Sequence, residues 1–321
     1  MKWAIVGTGQ ISHQFATDAG AARGAELVAV CSRSPEKGQA FADEFNIPKV
    51  YTDYDEMLES EQIDNIYVGV PHTAHREVVE YLLKKKKNVL CEKPLGVNGR
   101  EAASMIKTAK ENDVLLMEAM WTMFFPSVIK AKELLDSKYF GEINSAAGFI
   151  GYGSNGNHDR WRYYSDAAGG ALLDIGVYPV HFFLHMFGRM PDETVSLADI
   201  RNGVDMTDKV AFKFGNAAVS FDASILNTYV WGYDFYCERG SIHLNKSTSP
   251  YTLTLRPFDG EEQVMDFSYE RGGMQYQIEA FDKASKEGLK EVPPVTHQRT
   301  LDAFKIMDGL REKWGLKYPM E

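Results

Sequence analysis

The stretch "KWAIVGTGQIS", residues 2–12, decides the class of fold. Its first residues form a short apolar run of the kind found in buried strands. Gly7 and Gly9 follow, and a helix-like pattern begins directly after them. In this context the first glycine permits a tight turn, and the second lets the backbone approach a pyrophosphate at the helix N-terminus. The small Ser12 suits helix–strand packing, so the pattern predicts dinucleotide binding; the alternative is a glycine-rich turn in another doubly wound domain.

The rest of the chain divides into two patterns. Up to Trp121, apolar strand signals alternate with helix signals, which predicts an N-terminal Rossmann domain over residues 1–121 with a doubly wound parallel sheet. Beyond it, two helical stretches are followed by strands crowded between residues 193 and 268, and two helices close the chain. This pattern predicts a substrate-binding and dimerisation domain over residues 122–321, of α+β type with a large, mainly antiparallel open sheet.

Composition and charge limit the classes of partner. The 321 residues carry a formal net charge of -10, which argues against a nucleic-acid or anionic-membrane partner. No apolar run looks long enough to span a bilayer, and the N-terminus lacks a signal-peptide pattern. Cys31, Cys91 and Cys237 are too scattered for a disulfide framework or a zinc site. We therefore expect a cytoplasmic protein that acts on a small molecule.

The end of the second strand bears on the choice of cofactor. NAD-binding proteins usually place an acid there to bind the adenosine ribose, but this chain has "VCSRS", with Ser32 and Arg33. A hydroxyl and a guanidinium suit the 2′-phosphate of NADP. We therefore predict a preference for NADP, with weaker binding of NAD; the alternative is that Arg33 is a solvated surface side chain.

A lysine follows another core strand, in "CEKP". The C-terminal edge of a doubly wound sheet is where ligands bind, so Lys93 is expected beside the nicotinamide. The alternative is an ordinary surface lysine. Farther along, Asp174 and Tyr178 are spaced i, i+4 and share one face of a predicted helix.

Several segments together resemble a known family, the glucose–fructose oxidoreductase, inositol dehydrogenase and MocA group of NAD(P)-dependent oxidoreductases. The matching segments occur in the order that the family uses: "AIVGTGQIS" (4–12), "VPHTAHREV" (70–78), "CEKPLGVN" (91–98), "EAMWTMFFP" (118–126) and "RWRYYSDAAGGALLDIGVYPVH" (160–181). Tyr178 stands where many members have histidine. The similarity is greatest to the branch that contains dimeric dihydrodiol dehydrogenases and xylose dehydrogenases.

The resemblance implies roles for individual residues. Lys93 and Tyr178 would be the catalytic acid/base pair, supported by Asp174, with a cis peptide before Pro94. A lysine ammonium near the phenol would favour phenolate and would stabilise a developing alkoxide. The residues expected to contact the cofactor are Gly7, Thr8, Gly9, Gln10, Ile11, Ser32, Arg33, Pro71, His72, His75, Glu92, Lys93 and Arg162.

Substrate contacts are expected from Trp121, Trp161 and His181, because aromatic faces suit sugar rings and cyclic diols; packing at the hinge is an equal alternative for the two tryptophans. Asp174, Tyr178, His181 and His185 recur on one helix face, which would also suit a metal. No glutamate motif accompanies them, and we expect no metal.

The sequence thus predicts an NADP-dependent oxidoreductase that acts on a secondary alcohol or carbonyl of a sugar, polyol or cyclic trans-diol. Two alternatives stay open: a non-enzymatic NADP-binding sensor, and a glycosidase that uses bound NAD transiently. We also expect a homodimer formed through the C-terminal sheet, because "VAFKFGNAAVSFDASI" (210–225) carries apolar residues that we expect on both faces of that sheet.

Overall fold

The structure is a computed structural model that describes residues 1–153, 161–246, 252–269 and 272–321. Its first 121 residues alternate strands with helices. The strands are β1 (Lys2–Val6), β2 (Glu26–Cys31), β3 (Val50–Tyr51), β4 (Asn65–Val68), β5 (Asn88–Cys91) and β6 (Leu116–Glu118). The helices are α1 (Gln10–Ala19), α2 (Pro35–Phe45), α3 (Tyr54–Ser60), α4 (His75–Lys84) and α5 (Gly99–Asn112).

These six strands form one parallel sheet in the order β3-β2-β1-β4-β5-β6, which is the doubly wound order of dinucleotide-binding domains. The predicted Rossmann fold is therefore confirmed. Local signals explain the helix ends: Ser34 caps α2 by accepting the backbone N–H of Lys37, and Pro35 occupies its first turn. Helix α4 ends at Lys84, because Lys86 has a left-handed backbone with φ of 61°.

The remainder of the chain is built on a second sheet. The next elements are α6 (Pro126–Asp136), β7 (Ile143–Gly151), a π-helical turn (Leu172–Gly176) that continues into α7 (Val177–Phe187), and β8 (Glu193–Arg201). The other strands are β9 (Val204–Phe214), β10 (Ala217–Ser224), β11 (Tyr229–Cys237), β12 (Gly240–Lys246), β13 (Thr252–Pro257) and β14 (Gln263–Asp266). The last helices are α8 (Gln275–Lys286) and α9 (His297–Trp314).

The second sheet has the order β14-β13-β12-β11-β7-β10-β9-β8. Strand β10 runs parallel to β7, and every other pairing among the described strands of this sheet is antiparallel. The predicted α+β architecture with a mainly antiparallel sheet is therefore confirmed.

The two faces of this sheet differ in chemistry. Val210, Phe212, Phe214, Val219 and Phe221 are all buried on the inner face. The expectation that this hairpin sends apolar side chains to both faces is wrong, since its outer positions are polar or alanine. Outer apolar side chains come instead from the neighbouring strands β7, β8 and β11, which the pattern of the hairpin alone could not show.

The chain forms two compact units. The first contains Met1–Trp121 together with residues 272–301, and the second contains the described residues of 122–269 together with Asp302–Glu321. The first segment of the first unit ends at Trp121, and residues 272–301, which were assigned to the second domain from the sequence, lie in the first unit. Asp282 shows why, because its buried carboxylate accepts from Trp3 Nε1 at 2.9 Å and from Asn65 Nδ2 at 2.8 Å.

One helical stretch is long and apolar enough to cross a bilayer. It runs from Ser165 to Phe187 within the described residues, so the expectation that no such stretch exists is wrong on length and composition. However, 94 % of its apolar window is buried inside the protein. Its apolar character is therefore explained by its place in the core of the second unit.

Candidate active site

A cavity of about 880 Å³ lies at the C-terminal edge of the parallel sheet. The turns that follow β1, β2 and β4 line it, together with parts of α3 and α4. Of the predicted cofactor contacts, those that line this cavity are Gly7, Thr8, Gly9, Ser32, Arg33 and Pro71. Residues chosen from separate sequence motifs are thus brought to one site, at the edge where ligands bind in this fold.

The glycine turn has the geometry that close approach of a phosphate needs. Gly7 has φ of +100°, and a Cβ there would lie 2.9 Å from the carbonyl oxygen of Gly69. Gly9 is the N-cap of α1, whose first turn carries no acidic residue. Ser12 is fully buried, and a Cβ on Gly69 would meet its Oγ at 2.4 Å. A small residue is therefore required at position 12, as predicted.

The end of the cavity next to β2 carries two cations, and Glu77 of α4 also lines the cavity. Ser32 is buried, with its Oγ 3.5 Å from Thr8 Oγ1, and Arg33 is exposed beside it. Lys37, from the first turn of α2, lines the same cavity and was not predicted. The pair of cations next to a hydroxyl fits a phosphate group on an adenosine ribose.

Two tyrosines, Tyr54 and Tyr81, also line the cavity, with ring centroids 5.7 Å apart. They were missed because they come from α3 and α4, and no local motif connects them. Gln10 and Ile11, which were predicted to contact the cofactor, are the first two residues of α1; Gln10 is exposed and Ile11 is half-buried.

Lys93 lies two residues beyond the end of β5, and its peptide bond to Pro94 is cis, as the resemblance implied. The preceding residue, Glu92, is buried. Tyr67 donates its hydroxyl to Glu92 Oε1 at 2.7 Å, and the backbone N–H of Lys93 lies 3.2 Å from Oε2. Burial raises the pKa of Glu92 to about 7 despite these donors and the nearby Lys93 charge.

Two buried side chains hold the backbone around Lys93. His75 Nδ1 lies 3.0 Å from the carbonyl oxygen of Pro94, and its Nε2 lies 2.9 Å from that of Val70. Burial lowers the pKa of His75. Glu118 accepts the backbone N–H of Leu95 at 3.0 Å. His75 thus connects the two loops, and its contact with the cofactor stays a prediction. The role of Glu118 was missed.

His72 is buried, with its ring 6.4 Å from that of His75. Trp121 is half-buried at the start of a 3₁₀ turn that ends at Phe124. Residues 154–160, which precede Trp161 in sequence, lie outside the described residues.

In the second unit, Asp174 lies in the π-helical turn and is paired with Arg162. The Nε of Arg162 is 3.2 Å from Asp174 Oδ2, and both side chains are largely buried. The guanidinium also stacks over the ring of Tyr152, 5.1 Å from its centroid. In the structure Arg162 contacts Asp174 and Tyr152. Its contact with the cofactor stays a prediction. A π-helical turn of this kind is frequent at functional sites.

The other predicted residues of this helix have different surroundings. Tyr178 is 7 % exposed, and its ring lies 5.2 Å from that of Trp231. His181 is 0 % exposed, and its contact with substrate stays a prediction. Trp161 is 42 % exposed at the start of a short 3₁₀ turn, so its face is accessible. Within the described residues, no group of three His, Cys, Asp or Glu side chains could hold a metal ion.

Two further residues fix the start of this helix and were missed. Asp205, from β9, accepts the backbone N–H of Leu172 at 2.5 Å, and Tyr318 donates its hydroxyl to the carbonyl oxygen of Gly169 at 2.6 Å. The residues lie more than thirty and more than one hundred positions away in sequence, so no spacing rule could connect them to the helix.

Family models match both parts of the chain. An oxidoreductase family with an NAD-binding Rossmann fold matches residues 1–120, and the GFO/IDH/MocA C-terminal domain matches residues 128–243. Trans-1,2-dihydrobenzene-1,2-diol dehydrogenase from Xenopus laevis is 33 % identical over 331 residues, covering 99 % of both chains. The scyllo-inositol 2-dehydrogenase (NADP(+)) IolU from Bacillus subtilis (strain 168) is 30 % identical over 330 residues, covering 100 % of this chain and 99 % of IolU.

Solved structures share the fold at lower identity. The 3-ketoreductase KijD10 from Actinomadura kijaniata, in complex with NADP and TDP-benzene, superposes with a TM-score of 0.85 at 24 % identity over 97 % of both chains. Levoglucosan dehydrogenase, in complex with NADH and levoglucosan, gives a TM-score of 0.88 at 18 % identity over 98 % of this chain and 97 % of that one.

Proposed function

The chain belongs to the GFO/IDH/MocA oxidoreductase family, and from this membership we propose that it transfers a hydride between NADP(H) and a secondary alcohol or carbonyl of a cyclic diol, polyol or sugar. Membership makes it an NAD(P)-dependent dehydrogenase. The substrate class is proposed because relatives that align over almost the whole chain are named as diol and inositol dehydrogenases.

The observation that carries the proposal is the cavity at the sheet edge. Its glycine turn leaves room for a pyrophosphate at Gly7 and Gly9, and its cationic end holds Arg33 and Lys37. These residues fit a dinucleotide that bears a 2′-phosphate. When bound, the nicotinamide supplies or accepts the hydride, and the protein must move the accompanying proton and stabilise charge on oxygen.

We assign these two tasks to Tyr178 and Lys93. The phenol of Tyr178 exchanges a proton with the reacting hydroxyl, and the ammonium of Lys93 stabilises negative charge on the phenolate and on the substrate oxygen. Asp174 precedes Tyr178 by one helical turn and holds the Arg162 guanidinium. Support comes from the position of Lys93 after β5 and from the family motifs around both residues.

The test is turnover of a panel containing trans-1,2-dihydrobenzene-1,2-diol, scyllo-inositol and several aldoses, followed by nicotinamide absorbance. We expect Lys93→Met to abolish turnover while the affinity for NADP⁺ stays within about tenfold, or ~1.4 kcal/mol. Tyr178→Phe should lower kcat by roughly 10²-fold, because the proton donor is removed.

Matched controls are Lys107→Met and Tyr139→Phe, both at exposed positions, which should leave kcat unchanged. Near-normal turnover in Lys93→Met would contradict the catalytic role of Lys93. An unchanged kcat with a raised KM in Tyr178→Phe would mean that Tyr178 only binds substrate. Cleavage of a glycoside without a net change in absorbance would support the glycosidase alternative. Cofactor binding without turnover of any compound would support the sensor.

We also propose that the protein is a homodimer formed through the outer face of the second sheet. Leu197, Lys209, Asp222 and Phe149 are successive cross-strand neighbours on this face, of which Leu197 is 75 % and Phe149 is 41 % exposed. Exposed apolar side chains on a broad sheet are typical of an interface.

Several polar groups of this face are paired with one another. Lys209 forms an ion pair with Asp222, and His243 bridges Asp234 and Ser241 with two hydrogen bonds of 2.7 Å. Burying paired polar groups in an interface costs much less than burying unpaired ones, which supports the proposal.

A further inference from the structure

The helix that carries Asp174 and Tyr178 begins against a carboxylate from another element. The first N–H groups of a helix have no partner within the helix. Here the N–H of Leu172, the first residue of the π-helical turn, donates to Asp205 Oδ2 at 2.5 Å. A negative charge at this end also complements the helix dipole. Asp205 of β9 therefore anchors the turn from which Asp174 projects.

The neighbouring glycine is shaped for this contact. Gly170 has φ of +120°, and a Cβ there would lie 2.1 Å from Asp205 Oδ1. The carboxylate thus occupies the space that any other side chain at position 170 would fill. The adjacent carbonyl of Gly169 accepts from Tyr318, so the chain is held on both sides of Gly170.

Asp205 has a buried partner on its own strand, Asp208. Side chains three residues apart on a regular strand point to opposite faces. The pairing of β8 with β9 shifts between Asp199 and Ile200, so that Met206 is an extra residue in β9. Such a bulge reverses the alternation, and both carboxyl groups are accordingly buried on the inner face, at 0 % exposure.

The two buried carboxyl groups are placed to share a proton. No N–H or O–H group of the described residues reaches either oxygen of Asp208, and the hydrogen bond open to it is the one with Asp205. Burial raises the pKa of both groups, and the Asp205 charge raises that of Asp208 further. Asp205 is also favoured as the anion by the Leu172 N–H and by the Arg311 charge. These causes favour Asp208 as the neutral donor and Asp205 as the charged acceptor.

We propose that Asp205, held by the proton of Asp208, is a positioning residue that sets the π-helical turn and thereby the placement of Asp174 and Tyr178. This inference rests on the proposed function for its effect on turnover. It assigns to Asp205 no contact with substrate or cofactor. If the inference holds, the geometry of the π-helical turn depends on the buried pair of Asp205 and Asp208, which carries one negative charge and one proton.

The experiment compares four variants for kcat, KM, NADP⁺ affinity and amide hydrogen exchange. In Asp205→Ala we expect kcat to fall about tenfold or more, because small displacements of reacting groups cost this much, while KM and NADP⁺ affinity change less than about threefold. Exchange in residues 172–178 should accelerate. Asp208→Asn should keep kcat within about twofold of wild type, because its amide donates to Asp205 as the protonated acid does.

The control is Asp282→Asn, since Asp282 is another buried carboxylate with a raised pKa, in the first unit. It should not accelerate exchange in residues 172–178 or lower kcat. Unchanged exchange and kcat in Asp205→Ala, or equal effects in Asp282→Asn, would overturn the inference. If Asp205→Ala does not fold, Asp208→Asn tests the inference instead. A folded Asp208→Asn protein that has lost turnover would contradict the proton shared by the two carboxyl groups.

Tyr178→Phe separates this inference from the proposed function. If that variant keeps the wild-type kcat, the role of Tyr178 fails, while the exchange measurements still judge the anchoring by Asp205. If Tyr178→Phe loses turnover but Asp205→Ala keeps both its kcat and its slow exchange, only the positioning role is overturned.

Discussion

At the scale of single residues, Arg33 is the side chain whose charge bears most directly on the choice of cofactor. It lines the cavity beside the buried Ser32, at the end of a strand where a carboxylate would repel a 2′-phosphate. A guanidinium binds phosphate by paired, charge-assisted hydrogen bonds. Because Arg33 is exposed, solvent and salt weaken this interaction.

We therefore expect Arg33→Ala to lower kcat/KM for NADP⁺ by about tenfold to a hundredfold, equivalent to one charged hydrogen bond. The value for NAD⁺ should fall by less than about threefold. Lys37→Ala should give a smaller loss in the same direction, and Arg23→Ala, on the exposed surface, should give none. The proposal that Arg33 binds the 2′-phosphate would be refuted by a wild type that prefers NAD⁺. An equal loss of kcat/KM with both cofactors in Arg33→Ala would also refute it.

Glu92 predicts a dependence of stability on pH. Burial raises its pKa from 4.5 to about 7, so the folded state favours the protonated acid. The resulting stabilisation is fully present below about pH 4.5 and is lost as the pH rises through about 7, with a total near 3 kcal/mol.

Glu92→Gln removes this titration. We expect the free energy of unfolding of the variant, relative to wild type, to rise between about pH 5 and about pH 8 by up to ~3 kcal/mol. Chemical denaturation at several pH values measures the difference. A difference that stays constant over this range would mean that Glu92 does not titrate there.

At the scale of elements, the start of the π-helical turn that leads into α7 is held by Asp205 and Tyr318 from other parts of the second unit. Gly170 combines a positive φ with the contact to Asp205. Gly188, at the C-terminal end of α7, has φ of +67°, and no neighbouring atom lies within 4 Å of the position that a Cβ would take there. An alanine at position 188 therefore tests backbone strain alone, whereas an alanine at position 170 tests strain together with steric conflict.

Gly188→Ala should destabilise the protein by about 1 kcal/mol, the usual penalty for a left-handed alanine. Gly170→Ala should lower the free energy of unfolding by more than that, roughly 2–4 kcal/mol, because strain and the displaced carboxylate both contribute. It should also lower kcat. Urea denaturation and turnover measure the two effects, and equal destabilisation by both substitutions would show that the turn adapts to a side chain.

Some of these elements could be predicted from the sequence, and others could not. Helices α2 and α5 carry local start signals, since Ser34 and Asn98 cap them and Pro35 occupies the first turn of α2. Strand β3 was missed, since two residues are too few to show a period. The bulge in β9 has no local signature, so alternation places Asp205 and Asp208 on opposite faces.

Part of the candidate site could likewise be predicted from the sequence. The glycine turn, Ser32 and Arg33 could be predicted because their roles follow from their position after a strand. Lys37 and Tyr54 reach the cavity from neighbouring helices, and Arg162 meets Asp174 through the fold of a loop. Such contacts depend on tertiary packing and leave no spacing in the sequence.

At the scale of the whole molecule, the outer face of the second sheet predicts the state of association. We expect a dimer by light scattering at micromolar concentration. Leu197→Glu and Phe149→Glu should shift it to monomer, because each buries a charge in an apolar contact. Ile129→Glu, at an exposed position on α6 with 47 % exposure, is the control and should stay dimeric. A monomeric wild type would refute the interface.

The division of the chain into units has a consequence for its synthesis. Trp3 and Asn65 bind Asp282, and the buried Asp18 accepts the backbone N–H of Met274 at 2.9 Å. Glu118 likewise accepts the hydroxyl of Thr300 at 2.8 Å. A ribosome delivers these partners only after nearly all of the other unit has been made. The part of the protein that is translated first must therefore wait, with buried polar groups unmatched, for the part that is translated almost last.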